Sequence, residues 1–324
     1  MKSRRVLLIS PIGGRAMYGI VEYFKKKNFE VVGIDANDSS IGKVLVDHFE
    51  VVPRIGEQYY AEKVISIIKQ YDVDLFISWL DEEILFWNEY FLETKDKKLM
   101  KKFAFNFRKD LIDFYDKYKF SLLLSQANLP HPKTFLLDEK NSFYDFNFPI
   151  IIKPRRGSGS KNIKVVESLE LFECAVKEIE YKVGDLSNYI LQEFIKGEEY
   201  TIDFFSLQGE IVNIVVRKRI KHAGVSLIGE IVYDTEIEEL VRKFVYLFKI
   251  DGLNNIQVIK ASDKIFILEA NLRPSGTIVF SVEAGVDLLN NLIEKFSGKK
   301  ITKYGKPKKL RMIRFLREYY YGQD

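Results

Sequence analysis

Short apolar runs alternate with amphipathic stretches over the first ninety residues or so. Continuous apolar runs, typical of strands buried on both faces, occupy residues 5–10, 30–35, 44–52 and 73–78. Between them, residues 16–27 and 59–71 carry apolar side chains at helical spacing. Strands that alternate with helices in this way predict parallel pairing in a doubly wound α/β sheet. We place this first unit at residues 1–95.

Beyond residue 117 the pattern changes to helices and hairpins. Helices are predicted over 117–127, 169–182 and 236–249, and strands over 150–153, 162–166, 189–194, 199–206, 210–218, 255–260, 264–271 and, at the end of the chain, 310–321. Gln208-Gly209 joins two of these strands in a turn, and residues 261–264 join another two. The second part is therefore expected to be α+β with mostly antiparallel sheets.

Composition limits the class of protein. A length of 324 residues suggests two domains, or one domain with lobes. The hydrophobic share of 47% excludes a disordered chain. A single cysteine, Cys174, excludes an internal disulfide and favours a reducing compartment, and the three widely spaced histidines argue against a zinc site.

The formal net charge of +4 is unevenly distributed. Residues 298–324 hold nine Lys and Arg against two Asp and Glu, so the rest of the chain is slightly negative. This argues against nucleic-acid binding by a general basic face and leaves room for a local anion site. No apolar run approaches the ~20 residues of a membrane helix, and the one near the start is too short for a secretory signal. We expect a cytoplasmic protein that binds neither membranes nor nucleic acid.

Two glycine clusters are candidates for phosphate binding. The first, Gly13-Gly14, lacks the G-x-G-x-x-G spacing of a dinucleotide loop, so a turn is the better interpretation there and for Asp35, which could otherwise hold a ribose. The second cluster, residues 157–160, joins two strands and is not a Walker A loop. Its backbone N–H groups could approach phosphate oxygens, with Lys153 as a point charge. An ordinary hairpin turn explains the second loop equally well.

The sequence Glu269-Ala270-Asn271-Leu272-Arg273 carries the strongest signal. Side chains alternate on a strand, so Glu269, Asn271 and Arg273 share one face. A tight hairpin centred on residue 263 places Gln257 directly across from Glu269. Amide and carboxylate oxygens are hard ligands, suited to Mg²⁺ shared with phosphates, and Arg273 could hold a further anionic group. The alternative is a solvated sheet face.

Taken in order, the motifs resemble the ATP-grasp superfamily, in particular its carbamoyl phosphate synthetase and biotin carboxylase branch and the related single-unit amino-acid ligases. The motifs are Asp116-Lys117, Pro132–Thr134, Lys153, residues 157–160, residues 192–199, Gln257, and Glu269 to Arg273 followed by Pro-Ser-Gly. The resemblance implies a Rossmann-like domain at 1–95 and a two-lobed ATP-grasp fold at 96–324. It further implies a small lid lobe at about 120–195 and a large lobe at about 196–324.

The resemblance also implies roles for individual residues. Phosphate contacts fall to Lys117 and Lys153, the lid loop to Gly157, Ser158, Gly159 and Ser160, adenine contacts to Gln192, Phe194 and Ile195, the ribose to Glu199, magnesium ligation to Gln257, Glu269 and Asn271, and the acyl phosphate to Arg273. ATP and Mg²⁺ are the implied cofactors, with Mn²⁺ as a substitute. The chain departs from the family where Leu272 replaces a usual proline and Gln257 a usual carboxylate.

These residues predict an ATP-dependent carboxylate–amine ligase. Phosphoryl transfer to a small carboxylic acid, an amino acid among the candidates, would give an acyl phosphate that an amine attacks, releasing ADP and phosphate. We expect Arg217 or Arg219 to hold the γ-phosphate or the acid, and count Lys153, Arg219 and Arg273 as catalytic; a solvated basic edge is the alternative for Arg217 and Arg219. Asp81 or Glu82 could receive an ammonium group, although a solvated helix start explains them better.

Two other functions stay open at this point. One is a carboxylase that phosphorylates bicarbonate, and the other is an ATP-binding regulator without catalysis. The presence of Glu269, Asn271 and Arg273 together favours an enzyme. Members of the family are often dimers, so a homodimer is also left open.

Overall fold

The computed structural model describes residues 4–138, 146–157, 162–223, 225–262 and 264–315, together with Glu318 and Tyr320. Within these residues the strands form three sheets. One sheet is parallel and the other two are antiparallel. The predicted combination of α/β and α+β architecture is confirmed.

The first sheet is parallel, with strand order β3-β2-β1-β4. Its elements are β1 (Arg5–Ser10), α1 (Met17–Lys26), β2 (Phe29–Asp35), β3 (His48–Val51), α2 (Tyr60–Gln70), β4 (Leu75–Ser78) and α3 (Asp81–Thr94). Leu7 and Ile9 pack on the side of α1, whereas Leu8 and Phe76 pack against α2 and α3. Burial on both faces explains why the strands are continuously apolar.

Three short helices connect this unit to the rest of the chain. They are α4 (Lys97–Met100), α5 (Leu111–Tyr115) and α6 (Lys117–Gln126). Asp116, which is fully buried, caps α6 by accepting hydrogen bonds from the backbone N–H groups of Tyr118 and Lys119. Its carboxylate also accepts from Arg155 Nε at 2.7 Å. The cap therefore ties α6 to the loop that follows Lys153.

The second sheet has four antiparallel strands in the order β5-β8-β6-β7. Its elements are β5 (Thr134–Leu136), β6 (Ile150–Pro154), β7 (Lys164–Val166), α7 (Leu169–Val183) and β8 (Tyr189–Glu193). Ile152, Leu191 and Phe172 form a separate hydrophobic core between this sheet and α7. The small sheet is therefore an independently packed lobe.

The third sheet has six antiparallel strands in the order β13-β12-β9-β10-β11-β14. Its strands and flanking helices are β9 (Glu198–Leu207), β10 (Glu210–Ala223), β11 (Val225–Val232), α8 (Thr235–Phe248), β12 (Gly252–Ala261), β13 (Lys264–Asn271), α9 (Ile278–Glu283), α10 (Leu288–Phe296) and β14 (Arg311–Ile313). Strand β10 is longer than predicted because it continues to pair with β11. The predicted final strand over 310–321 is shorter, being limited to Arg311–Ile313 among the described residues.

One face of this large sheet changes character along its length. Phe205, Val215 and Leu253 pack in the same hydrophobic core as Leu7 and Ile9 of the parallel sheet. Two to four residues further along the same strands, the positions on that face become polar. These positions are Thr201, Asp203, Arg217, Arg219, Asn255 and Gln257. Because alternate residues of a strand lie on the same face, one face of the sheet is an apolar core at one end and a polar site at the other.

The predicted boundaries at 95, 120 and 196 stay predictions. The parallel sheet and its helices lie within residues 5–94, and the small sheet spans residues 134–193.

Candidate nucleotide and acid site

The β12–β13 hairpin brings the predicted cation ligands together. Gln257 pairs with Glu269 across the hairpin, as the spacing predicts. Gln257 Nε2 donates to Glu269 Oε1 at 2.5 Å, and Asn271 Nδ2 donates to the same oxygen at 3.0 Å. The three side chains therefore form one hydrogen-bonded cluster around a carboxylate.

The donors in this cluster fit a hard cation. Among the described residues, no three His, Cys, Asp or Glu side chains lie close enough to hold a metal ion. The oxygens available here are those of one carboxylate and two amides, a set suited to Mg²⁺ that also binds phosphate oxygens. A cation held by Glu269 would replace the hydrogen bonds from Gln257 and Asn271, and their amide oxygens could ligate it only after giving up the hydrogen bonds that they accept from Arg219 and Arg273.

Two lysines from the small lobe and α6 lie beside Glu269. Lys117 Nζ donates to the Gly157 carbonyl at 2.8 Å. Burial lowers the pKa of Lys117, while the nearby carboxylate of Glu269 opposes this effect. Burial and the positive charge of Lys117 together lower the pKa of Lys153 to about 8. The two cations repel each other, which suits a site that binds polyphosphate.

The glycine-rich loop begins at this pair of lysines. Gly157 has φ +120°, a conformation that favours glycine, and its absent Cβ would meet nothing within 4 Å. Its carbonyl accepts the hydrogen bond from Lys117, so the loop begins beside this lysine. Ser158, Gly159 and Ser160 lie outside the described residues.

The predicted nucleotide hinge follows the end of β8. The Gln192 side chain is buried and donates to Thr134 Oγ1 at 2.9 Å, so it braces β8 against β5. Phe194 and Ile195 come next and are half-buried. Glu199, on β9, accepts from Arg219 Nη1 at 3.0 Å. The hinge residues therefore connect the small lobe to the cluster around Glu269.

Arg219 and Arg217 occupy the same face of β10 but have different surroundings. Arg219 Nη1 donates to Gln257 Oε1 at 2.6 Å, which joins it to the cation-ligand cluster. Its buried Nε has no partner among the described residues. Arg217 is instead buried in an ion pair with Asp203 at 2.7 Å and donates to Ser275 Oγ at 2.8 Å. Neither side chain is a solvated basic edge.

Arg273 forms a buried ion pair that the sequence did not predict. Its Nε and Nη2 donate to the two oxygens of Asp81 at 2.9 and 2.7 Å, and both side chains are 13% exposed. Burial by itself would lower the pKa of Arg273. The Asp81 carboxylate has the larger effect, so the pKa of Arg273 is raised. The interpretation of Asp81 as a solvated helix start was wrong, because α3 begins against the β13 loop.

Replacing Asp81 with asparagine should destabilise the protein and misplace Arg273. We expect the free energy of unfolding to fall by about 2–4 kcal/mol, because a largely buried guanidinium loses its charged partner. Chemical denaturation of Asp81→Asn beside Glu82→Gln, its neighbour on the same helix, would measure this. An Asp81→Asn variant as stable as Glu82→Gln would contradict the assignment.

A cavity of about 40 Å³ opens beside these groups. Asp81, Lys117, Glu269 and Asn271 contribute its polar lining, and Leu111 and Phe114 of α5 contribute apolar lining. The cavity lies where the parallel domain, α6 and the β12–β13 hairpin meet. A small ligand in it would touch a carboxylate, a cation and an apolar wall at once.

The first glycine cluster does not belong to this site. Gly13 N donates to Asp35 Oδ2 at 2.8 Å, and Ser40 Oγ donates to the same oxygen at 3.1 Å. A Cβ at Gly13 would lie 2.7 Å from that oxygen, so a larger residue there would displace the Asp35 side chain. The Asp35 carboxylate therefore stabilises a turn through these hydrogen bonds.

Family models match two parts of the chain. Residues 185–317 match the model "ATP-grasp in the biosynthetic pathway with Ter operon". Residues 7–100 match "PylC-like, N-terminal domain". The chain therefore combines a region that matches an ATP-grasp family with a region that matches a PylC-like N-terminal domain. The predicted resemblance to the ATP-grasp superfamily is confirmed by this match.

A curated relative matches most of this chain. Carbamoyl-phosphate synthase of Methanobrevibacter smithii is 23% identical over 303 residues, which cover 88% of this chain and 80% of that protein. The carbamoyl phosphate synthase large chain of Clostridium acetobutylicum is 27% identical over 208 residues, but the matched part is only 19% of its length.

Solved structures share the fold at low identity. The biotin carboxylase domain of Hydrogenobacter thermophilus 2-oxoglutarate carboxylase, in complex with MgADP and bicarbonate, has a TM-score of 0.71 at 16% identity, over 92% of this chain and 70% of that one. The L-amino acid ligase of Bacillus licheniformis has a TM-score of 0.69 at 16% identity, over 91% and 74%. The ATP-grasp fold is thus shared with both carboxylases and amino-acid ligases.

Among the helices of the described residues, none is both long enough and apolar enough to cross a membrane.

Proposed function

We propose that this protein is an ATP-dependent carboxylate–amine ligase that works through an acyl phosphate. The observation that carries the proposal is that Lys117, Lys153 and Arg273 surround the carboxylate of Glu269, while Arg219 is hydrogen-bonded to its neighbour Gln257. Phosphoryl transfer needs positioning and cationic clamps more than it needs a protein nucleophile. This site offers such clamps around a candidate cation ligand.

Each group has a separate task in the proposed reaction. Lys117 and Lys153 would hold the nucleotide phosphates, and Glu269 with the amides of Gln257 and Asn271 would hold Mg²⁺. The metal ion, when bound, would screen the negative charge of the phosphates. Arg219 and Arg273 lie on the same side and would orient the acid, whose carboxylate oxygen attacks the γ-phosphorus.

The reaction then proceeds in two balanced steps. The first forms a bond from the carboxylate oxygen to phosphorus and breaks the bond from phosphorus to the bridging oxygen of ADP. In the second, an amine nitrogen attacks the acyl carbon, phosphate leaves, and the nitrogen loses a proton to solvent. The side chains of the site bind and orient the reactants, while Asp81 holds Arg273 in place.

A nucleotide-release assay with trapping tests the proposal. The protein would be incubated with ATP, Mg²⁺ and a panel of small carboxylic and amino acids, with and without hydroxylamine. We expect ADP and a hydroxamate that depend on particular acids. Release of AMP and pyrophosphate would overturn the acyl-phosphate route, and turnover with bicarbonate alone would indicate a carboxylase. Tight ATP binding without turnover would indicate a regulator.

A further inference from the structure

The last strand brings one arginine to the inner side of the large sheet. Along β14, Ile313 is 65% exposed, whereas Met312 packs against the core shared with the parallel domain. The chain continues past β14 with a hydrogen bond from the Arg314 N–H to the Leu227 carbonyl, at 2.8 Å. The alternation places Arg314 on the same inner side as Met312. The basic end of the chain is therefore not all solvated surface.

The guanidinium of Arg314 lacks a compensating charge. Its Nη2 donates weakly to the Gly276 carbonyl at 3.4 Å, while its buried Nη1 has no partner among the described residues. No carboxylate of the described chain forms an ion pair with it, and burial and the nearby charge of Arg217 lower its pKa. Burying a guanidinium group beside another positive charge costs free energy unless an anion binds to it.

Arg217 is the neighbouring positive charge, and it also has an N–H group without a partner in the described part of the chain. It already shares the fully buried Asp203, yet its own Nε has no partner among the described residues. Arg217 therefore has a carboxylate partner and Arg314 has none, and each retains a buried N–H group without a partner among the described residues. Such N–H groups are suited to a carboxylate or phosphate of a ligand.

The two arginines lie next to the proposed transfer site. Arg217 donates to Ser275 Oγ and to Thr277 Oγ1, and Arg314 contacts Gly276, all within the loop that follows Arg273. Arg217 is also two residues from Arg219 on one strand face, a separation of ~7 Å. This spacing places Arg217, and Arg314 next to it, beside the proposed transfer site.

The N-terminal domain closes the other side of this loop. Trp79, which is buried, directs its indole N–H at the Ser275 carbonyl, at 3.4 Å. A Cβ at Gly276 would lie 3.7 Å from the Ala16 Cβ. These contacts leave no room for a macromolecular partner on that side of the loop.

We propose that Arg314, together with the neighbouring Arg217, binds a second anionic group of the acid substrate. The acid is then a dicarboxylate or a phosphorylated carboxylic acid, with its reacting carboxylate at Arg219 and Arg273 and its other anionic group at Arg314. This inference rests on the proposed function, since it names the class of acid that the ligase accepts. It gives the basic C-terminal segment a role in specificity.

Matched acids and matched variants test the inference. ADP release would be measured with dicarboxylic acids, with monocarboxylic acids of equal chain length, and with phosphorylated hydroxy acids, which separates a second carboxylate from a phosphate. For Arg314→Gln we expect the KM of the preferred dianionic acid to rise ~10–100-fold, with the KM of ATP unchanged. Arg311→Gln, an exposed arginine of the same strand paired with Glu230, is the control.

A binding measurement separates failure of this inference from failure of the proposed function. Titration calorimetry without ATP would use inorganic phosphate and a dicarboxylate as probes. If no acid supports turnover, binding to wild type that Arg314→Gln abolishes still supports the anion site, whereas equal or absent binding overturns it. If turnover occurs, equal KM values for Arg314→Gln and wild type, or a preference for monocarboxylic acids, overturn the inference and leave the ligase intact.

Discussion

Replacing Glu269 with glutamine is expected to lower the rate of ATP-dependent ADP release by at least ~100-fold. The variant keeps the size of the side chain but removes the charge that Gln257 and Asn271 surround. The same carboxylate supports the protonated forms of Lys117 and Lys153, so its loss leaves neighbouring cations without their shared counterion. Steady-state assays over a range of Mg²⁺ concentrations would measure the effect.

The control for this experiment is a carboxylate outside the site. Glu238→Gln, on α8, alters a half-exposed residue in an i,i+4 pair with Arg242 and should change turnover less than twofold. Thermal unfolding of both variants would show whether the fold is kept. If Glu269→Gln retained more than half of the wild-type rate with the same Mg²⁺ dependence, Glu269 would not be a cation ligand.

ATP affinity is expected to fall by ~10–30-fold between pH 7 and pH 9.5, and Lys153→Arg should remove most of this dependence. The pKa of Lys153 is about 8, so the free protein loses this charge as the pH rises through that value. Phosphate oxygens favour the charged lysine, and above pH 8 binding must include uptake of a proton. One pH unit beyond the pKa corresponds to about tenfold in affinity. An arginine stays protonated throughout this range.

Equilibrium binding of a non-hydrolysable ATP analogue would measure this pH dependence. A wild-type affinity that is constant from pH 7 to 9.5 would contradict the role of Lys153. The pH dependence of the free energy of unfolding is a second measurement. Its expected sign is opposite to that of the ATP affinity. The folded-state pKa of about 8 lies below the ordinary 10.5, so the unfolded chain binds more protons in that interval. The stability of the wild type relative to Lys153→Met should therefore rise between pH 8 and 10.5.

The sequence was sufficient to predict that Gln257 and Glu269 pair across the β12–β13 hairpin, but not how they do so. Ala261 pairs with Lys264 at the turn, a register that continues to Val258 and Ile267, and a register shift between Val258 and Gln257 then brings Gln257 opposite Glu269. The parallel sheet was predictable from a local rule, because burial on both faces leaves apolar runs in its strands.

Contacts between distant elements were beyond the reach of such rules. Asp81 and Arg273 are 192 residues apart, and an acidic residue at a helix start ordinarily has a local explanation. Arg217 and Arg219 share a strand face, and only the neighbouring β9 makes one the partner of Asp203 and the other the partner of Glu199. Arg314 likewise resembles its basic neighbours in sequence, and only the pairing of β14 with β11 sets it apart.

The hydrophobic core shared by the parallel sheet and the large sheet has a consequence for how the molecule can be divided. Leu7, Ile9, Phe205 and Leu253 pack together, whereas Ile152 and Leu191 pack in a core of their own. Cutting the chain after α3 would expose half of a continuous interior on each fragment. The core of the small sheet shares no residue with that interior. For work with fragments, the N-terminal domain and the large lobe should therefore be kept in one polypeptide, and the small lobe is the part that can be altered separately.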